Sequence, residues 1–443
     1  MHSKRRLVTA GIAIALTAVA TGVATMTAQA DPAGPAESEP VTWSLSGLTA
    51  DQVADLEGQG FDVAEAHEDS TLVIGDDAIA EDLRGLGYDP QFHDTVYKEI
   101  APGVRQEGTY YGGYHTVEQY EAHLDEVAAA NPDLTQVFDI GDSWLKTQGE
   151  GGHDIMAICI TKIAEGDCEQ SPESTKPRFS MISQIHAREI ATGEISWRWI
   201  DKLVEGYGTD DAVTELLDTT EVWVVPIGNP DGVDIVASGG DDPILQRKNA
   251  NDSNGDCGES LGVDLNRNSS FEWGADSTNP CAETFQGPAA ASEPETQAIE
   301  DWLRAIHPDQ RGESATDPAP DDARDVFISL HSYGEYIIVP WGYTDDSPPN
   351  DDGLRALGNA MSDSNGYLVG TGSETVGYAT SGTTDDFTYG ELGIASYTYE
   401  VGPDSGNCGG FFPAYECVDD SLWPANEDAL MTAAQAAAAP YAE

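Results

Sequence analysis

The sequence predicts an α/β protein: a sheet with helices on both faces, preceded by a smaller α/β unit. Continuous apolar runs such as Glu221 to Ile227 and Val326 to Leu330 read as strands buried on both faces. These runs alternate with stretches of helical periodicity, the pattern of an α/β sheet. A length of 443 residues allows two or three domains.

The elements follow in order. Val41 to Leu45 alternates like a strand. Thr49-Ala50-Asp51-Gln52 is a capping signal that opens a helix with Val53 and Leu56 on its apolar face. Phe61 to Val63 and Thr71 to Ile74 read as strands, and Ile79 to Leu86 as a second helix. So small a unit ahead of a large domain reads as a propeptide, the alternative being an accessory domain that stays attached. The polar segment Lys98 to Thr109 contains the expected boundary. Beyond it, Thr116 to Ala130 reads as a helix with Tyr120, Leu124 and Val127 on one stripe. Arg178 to Ile185 and Ser396 to Tyr399 read as strands, and Gly193 to Glu205 and Asp428 to Ala439 as helices.

The first thirty residues read as a signal peptide. His2, Lys4, Arg5 and Arg6 precede an apolar run from Leu7 to about Ala24, and Ala28-Gln29-Ala30 offers a cleavage site before Asp31. The run is too short for a membrane anchor, and the surroundings of Arg5-Arg6 fit twin-arginine export poorly. The expected division is signal peptide 1–30, propeptide 31–107 and catalytic domain 108–443, with the mature protein secreted and free of any membrane.

Asp and Glu number 79 against 20 Lys and Arg, which argues against nucleic acid, since phosphate neutralisation needs a basic patch. Most of these carboxylates read as a solvated surface. The six cysteines, Cys159, Cys168, Cys257, Cys281, Cys408 and Cys417, suggest disulfides in an exported chain. Pairing between sequence neighbours is the simplest of the 15 possibilities. No CxxC spacing supports a cysteine metal site instead.

His186 and Glu189 follow one expected strand, His331 a second, and Glu400 a third. Strand ends are where open α/β sheets place their ligands. Two imidazoles and one carboxylate would make a three-ligand zinc site with one position open for water. HxxE alone is a weak signal. Its company is stronger: Asn229-Pro230-Asp231-Gly232, Gly262-Val263-Asp264-Leu265-Asn266-Arg267-Asn268, Glu283-Thr284-Phe285-Gln286-Gly287, His331-Ser332-Tyr333 and Tyr397-Thr398-Tyr399-Glu400 follow in that order.

In these motifs the chain, from Tyr110 onward, resembles the carboxypeptidase A/B family of zinc exopeptidases. The resemblance implies a mixed eight-stranded sheet, one Zn(2+) per chain, a propeptide that covers the cleft as an intramolecular inhibitor, and peptide or protein C-termini as substrates. A monomer is expected. His186, Glu189 and His331 match the zinc ligands, Asp264 the aspartate that orients the first of them, Glu400 the general base and acid, and Arg247 the arginine that polarises the scissile carbonyl. Asn266 and Arg267 match the pair that binds the terminal carboxylate, and Tyr378 the tyrosine that closes over it. Arg188 and Tyr333 are expected at the subsite before the cut bond. Asp385 matches the base of the specificity pocket, where an acidic group implies release of Lys or Arg; a one-residue slip would exchange it with Asp386. Thr383 and Ser381 leave room for a dual basic and apolar preference.

The chain departs from the family at Ser269 and Phe387, where tryptophan is usual, although Trp273 lies near the first. The oxygen-rich loop Asn251 to Asp256 offers a weak calcium reading, without the spacing of an EF-hand. Three rival functions remain: a zinc amidohydrolase of the same superfamily acting on a non-peptide acyl-amino acid, a zinc-binding pseudoenzyme that only binds peptides, and an acidic cation-binding surface protein, which would explain the charge but none of the motifs. Activity on C-terminally amidated peptides would favour the first, and metal binding without turnover the second.

Overall fold

The computed structural model describes residues 38–67, 69–100, 107–312 and 314–442. The signal-peptide reading, and residues 101–106 of the expected boundary, lie outside the described residues. Glu39–Glu443 form one compact unit, built of two domains.

The N-terminal domain is a four-stranded antiparallel sheet with two helices. Its strands are β1 (Val41–Ser46), β2 (Asp62–Ala66), β3 (Ser70–Gly75) and β4 (Gln91–Thr95), in the order β2-β3-β1-β4. Strand β4 escaped the sequence reading because it is polar and mostly exposed. The helix Ala50–Gly58 starts at the capping signal: Thr49 N donates to Gln52 Oε1 while Gln52 N donates back to Thr49 Oγ1. Val53, Leu56, Val63, Val73 and Leu83 form this domain's own core.

The main domain is built on eight strands: β5 (Thr135–Asp142), β6 (Asp154–Ile160), β7 (Arg178–Ser183), β8 (Glu221–Val225), β9 (Val326–His331), β10 (Tyr336–Ile338), β11 (Leu368–Gly370) and β12 (Ala395–Glu400). Their order is β11-β10-β12-β9-β7-β8-β6-β5. The four central strands β12, β9, β7 and β8 run parallel. Antiparallel β6 and β5 extend one side, and β10, antiparallel to β12, begins the other. The sheet is therefore mixed, as the resemblance implied.

Alternate residues feed two cores. Phe179, Met181, Val222, Val224, Ile328 and Leu330 face the helices Ile190–Gly206, Asp211–Thr219 and Trp423–Gln435. Ile182, Trp223, Val225 and Phe327 face Pro294–Ile306 and Thr384–Leu392 on the other side. Burial on both faces explains why the central strands read as unbroken apolar runs.

Several boundaries differ from the sequence reading. Strand β7 stops at Ser183, and the next helix starts at Ile190, a turn ahead of Gly193. Gly193 is not a helix start but a close approach: a Cβ there would clash with Gln184 Oε1. The last helix begins at Trp423 rather than Asp428, with Pro424 in its first turn, and gives way to a 3-10 turn after Gln435. The cysteines pair as sequence neighbours: Cys159–Cys168, Cys257–Cys281 and Cys408–Cys417.

Candidate active site

The site lies at the C-terminal ends of the central parallel strands. His186 and Glu189 sit in the turn between β7 and the helix Ile190–Gly206, while His331 and Glu400 are the last residues of β9 and β12. Because β9 and β12 pair in register, His331 stands opposite Glu400.

His186, Glu189 and His331 each aim one donor atom at a common point, all within 4.8 Å of one another. Glu189 Oε1 lies 2.7 Å from His186 Nδ1 and Oε2 3.1 Å from His331 Nδ1, and the two Nδ1 atoms are 3.1 Å apart. Two imidazole nitrogens and a carboxylate converging in a buried place form a donor set that calls for a cation. The outer ring nitrogens are engaged elsewhere. His186 Nε2 is 3.1 Å from Asp264 Oδ1, and His331 Nε2 is 2.8 Å from Ser329 Oγ. Such outer partners fix the tautomer that leaves Nδ1 for a metal. The donor set fits zinc.

Electrostatics agree with this arrangement. Burial opposes charge on Glu189, yet His186 and His331 hold its carboxyl well below the usual range. Burial likewise opposes charge on Asp264, and Arg247, ahead of His186, keeps it ionised. Arg247 Nε and Nη2 donate to Asp264 Oδ2 at 3.0 and 2.9 Å. Glu400 is the exception. Its Oε2 is shielded from solvent and has no hydrogen-bond partner. Burial first, and Glu189 second, push its carboxyl well above the ordinary range.

A cavity opens beside this centre, and its walls include His186, Glu189, Glu400, Arg247, Asn266, Arg267, Tyr333, Tyr378 and Asp385. Asn266 Oδ1 accepts from Thr384 N and Oγ1, which turns its amide NH₂ away from that helix. Arg267 is braced by Asp276 at 3.2 Å, and Asp276 in turn accepts from Ser381 N and Oγ. Asp385 and Asp386 have separate surroundings. Asp385 reaches the cavity, hydrogen-bonded to the hydroxyls of Thr383 and Thr398, and burial pushes its carboxyl up. Asp386 instead accepts from the backbone N–H groups of Gly342 and Tyr343.

Two of the sequence-derived residues are taken up by the N-terminal domain. Tyr378 packs against that domain's core, and burial, followed by Glu57, pushes its hydroxyl up to about 12. Arg188 is not a cavity wall; its guanidinium holds Asp62 of β2, with Nη1–Oδ2 2.5 Å and Nη2–Oδ1 2.9 Å. Ala64 and Glu65 of the same strand reach the cavity, and Glu65 Oε1 accepts from Tyr336 Oη at 2.8 Å. The sequence reading missed Asp62, Glu65, Asp276 and Ser329. Only Ser329, two residues before His331, carries a local signal.

The Asn251 loop is a short turn in which Asn251 Oδ1 accepts from Ser253 N and Oγ. The departures from the family are accommodated: Trp273 Nε1 donates to Gln286 O, and Phe387 is buried under the Arg304 guanidinium at 4.8 Å.

Fold, donor set and cavity together define a metallopeptidase of the zinc carboxypeptidase type. The sequence pattern of the zinc carboxypeptidase family (peptidase M14) matches residues 120–425, and the chain belongs to that family. It is 30% identical over 320 residues to carboxypeptidase A2 of Mus musculus, covering 70% of this chain and 68% of that one. It is 28% identical over 337 residues to carboxypeptidase B of Bos taurus, covering 74% and 71%. Its fold is similar to that of carboxypeptidase A from Helicoverpa armigera, with a TM-score of 0.72 at 24% identity, covering 91% of this chain and 98% of the other. The protein is a metallocarboxypeptidase with an intact zinc-binding triad, His186, Glu189 and His331. Among the described residues no helix is long and apolar enough to cross a membrane.

Proposed function

We propose that the protein is a secreted carboxypeptidase that releases single C-terminal residues, with preference for Lys and Arg, and that residues up to about 107 are an inhibitory propeptide following a signal peptide. The observation that carries the residue preference is Asp385, a carboxylate buried at the cavity wall without a cationic side chain beside it. A substrate guanidinium or ammonium would supply the missing counter-charge. The three disulfides suit an oxidising compartment.

Zinc bound by His186, Glu189 and His331 would act as a Lewis acid and lower the pKa of a bound water to about 7. The chain's own residues do the rest. Asn266 and Arg267 hold the substrate's terminal carboxylate, and Arg247 steadies the carbonyl oxygen as negative charge develops. Glu400, whose Oε2 has no hydrogen-bond partner, takes a proton from the attacking water and delivers it to the departing amine. Tyr378 closes over the terminal residue once the N-terminal domain no longer holds it.

The test measures amino-acid release by the processed enzyme from peptides ending in Arg, Lys, Leu and Phe. Arg and Lys are released fastest, and Asp385→Ala loses that advantage while retaining Leu and Phe release. A preference unchanged by Asp385→Ala would overturn the pocket assignment.

A further inference from the structure

Among the contacts between the two domains, the pair formed by Asp62 and Arg188 resembles a bound ligand more than a structural tie. The Arg188 guanidinium is nearly enclosed. One face lies 4.1 Å from the Phe411 ring, and Phe411 in turn packs on Tyr333 at 4.8 Å between centroids. Its two terminal nitrogens meet the two oxygens of Asp62 in a fork. Asp62 belongs to β2, the edge strand of its sheet, and Ala64 and Glu65 of that strand continue into the cavity beside the zinc donors. An extended segment thus lies over the cleft and presents a carboxylate to Arg188.

We propose that Asp62 stands where an acidic substrate side chain binds, so that the processed enzyme favours peptides carrying Asp or Glu immediately before the released residue. This rests on the carboxypeptidase reading above and adds the chemistry of the neighbouring subsite. A peptide carbonyl would accept from Arg188 through one oxygen, whereas a carboxylate matches both prongs of the guanidinium. Removing the N-terminal domain strips this cation of Asp62 and leaves Glu283, 3.9 Å from Nη1 and itself accepting from Ser260 Oγ. An acidic side chain would restore the lost counter-charge.

The experiment uses enzyme freed of its N-terminal domain by limited proteolysis. Peptides ending in Arg and differing only at the preceding position (Asp, Glu, Ala or Lys) are compared by kcat/KM. Asp and Glu are expected to exceed Ala by about tenfold, the scale of a hydrogen bond to a charged partner. In Arg188→Gln the ratio of Asp to Ala falls to near one, whatever the variant's absolute rate. An Asp peptide cleaved no better than its Ala counterpart by the wild-type enzyme overturns the proposal, as does a preference that survives in Arg188→Gln. Absence of Arg release from all four peptides would instead refute the carboxypeptidase reading, and this subsite with it.

Discussion

The two ends of the central strands both bury charged and polar side chains, but in opposite states. At the N-terminal ends, the buried charged groups are paired with one another. Arg178 Nε donates to Glu221 Oε2 at 2.7 Å, and Glu221 also accepts from Ser174 and Trp223. Asp325 Oδ1 accepts from Arg178 N, while Oδ2 lies 2.9 Å from His307 Nδ1. His307 Nε2 is 2.9 Å from Ser180 Oγ. This serine–histidine–aspartate chain has the connectivity of a hydrolytic triad, yet all three residues are sealed in the core. At the C-terminal ends, Glu400 has an unpartnered oxygen and two imidazoles turn their Nδ1 atoms toward one another beside a cavity. Buried polarity alone therefore does not mark a site. Polar groups whose partners must come from outside the chain do.

That contrast can be broken at either end. Glu400→Ala is expected to lower kcat by about 10²–10⁴-fold, the range for removing a general base, with zinc content and unfolding midpoint unchanged. Metal analysis beside steady-state kinetics checks this, and a variant of equal activity would remove Glu400 from the chemistry. At the opposite end, Asp325→Ala should cost about 1–3 kcal/mol of stability for each of the two buried donors it leaves without an acceptor, the backbone N–H of Arg178 and the Nδ1 side of His307. Denaturant unfolding measures that loss, and kcat of the folded fraction should stay at the wild-type value.

A smaller effect separates the two ends by pH. Burial holds the His307 pKa below its ordinary value. The unfolded chain therefore takes up a proton at about pH 6.5 that the folded chain still refuses. Stability falls as pH drops below that point, with a slope of at most about 1.4 kcal/mol per pH unit from this group. The slope should be shallower in His307→Gln, and identical slopes in the two proteins would show that another group sets the acid limit.

How much of the molecule was legible in its sequence depended on distance along the chain. The zinc donors could be read because His186 and Glu189 share one turn and His331 ends a strand that is itself plainly apolar; Glu400 ends the strand Ala395–Glu400, where Ser and Thr alternate with Tyr. The disulfides could be read because their cysteines are 9, 24 and 9 residues apart. Strands β10 and β11 could not, since three residues are too few to show a period. The hold of Asp62 on Arg188 joins positions 126 apart, and nothing local marks either as the partner of the other. Gly193 misled the reading of a helix boundary because its lack of a side chain serves packing against Gln184. What tertiary structure added was mainly the company each site residue keeps: Asp276 behind Arg267, Ser329 behind His331, and β2 across the cleft.

The central claim is that a metal held by His186, Glu189 and His331, with Glu400 alongside, cleaves only at a free C-terminus. It is tested most directly by mass spectrometry of one peptide in free-acid and amidated forms, incubated with the processed enzyme before and after chelation. The account predicts stepwise loss of single residues from the free acid alone, abolished by the chelator and restored by added zinc. Equal trimming of the amidated peptide, or trimming that persists after the metal is removed, would contradict it.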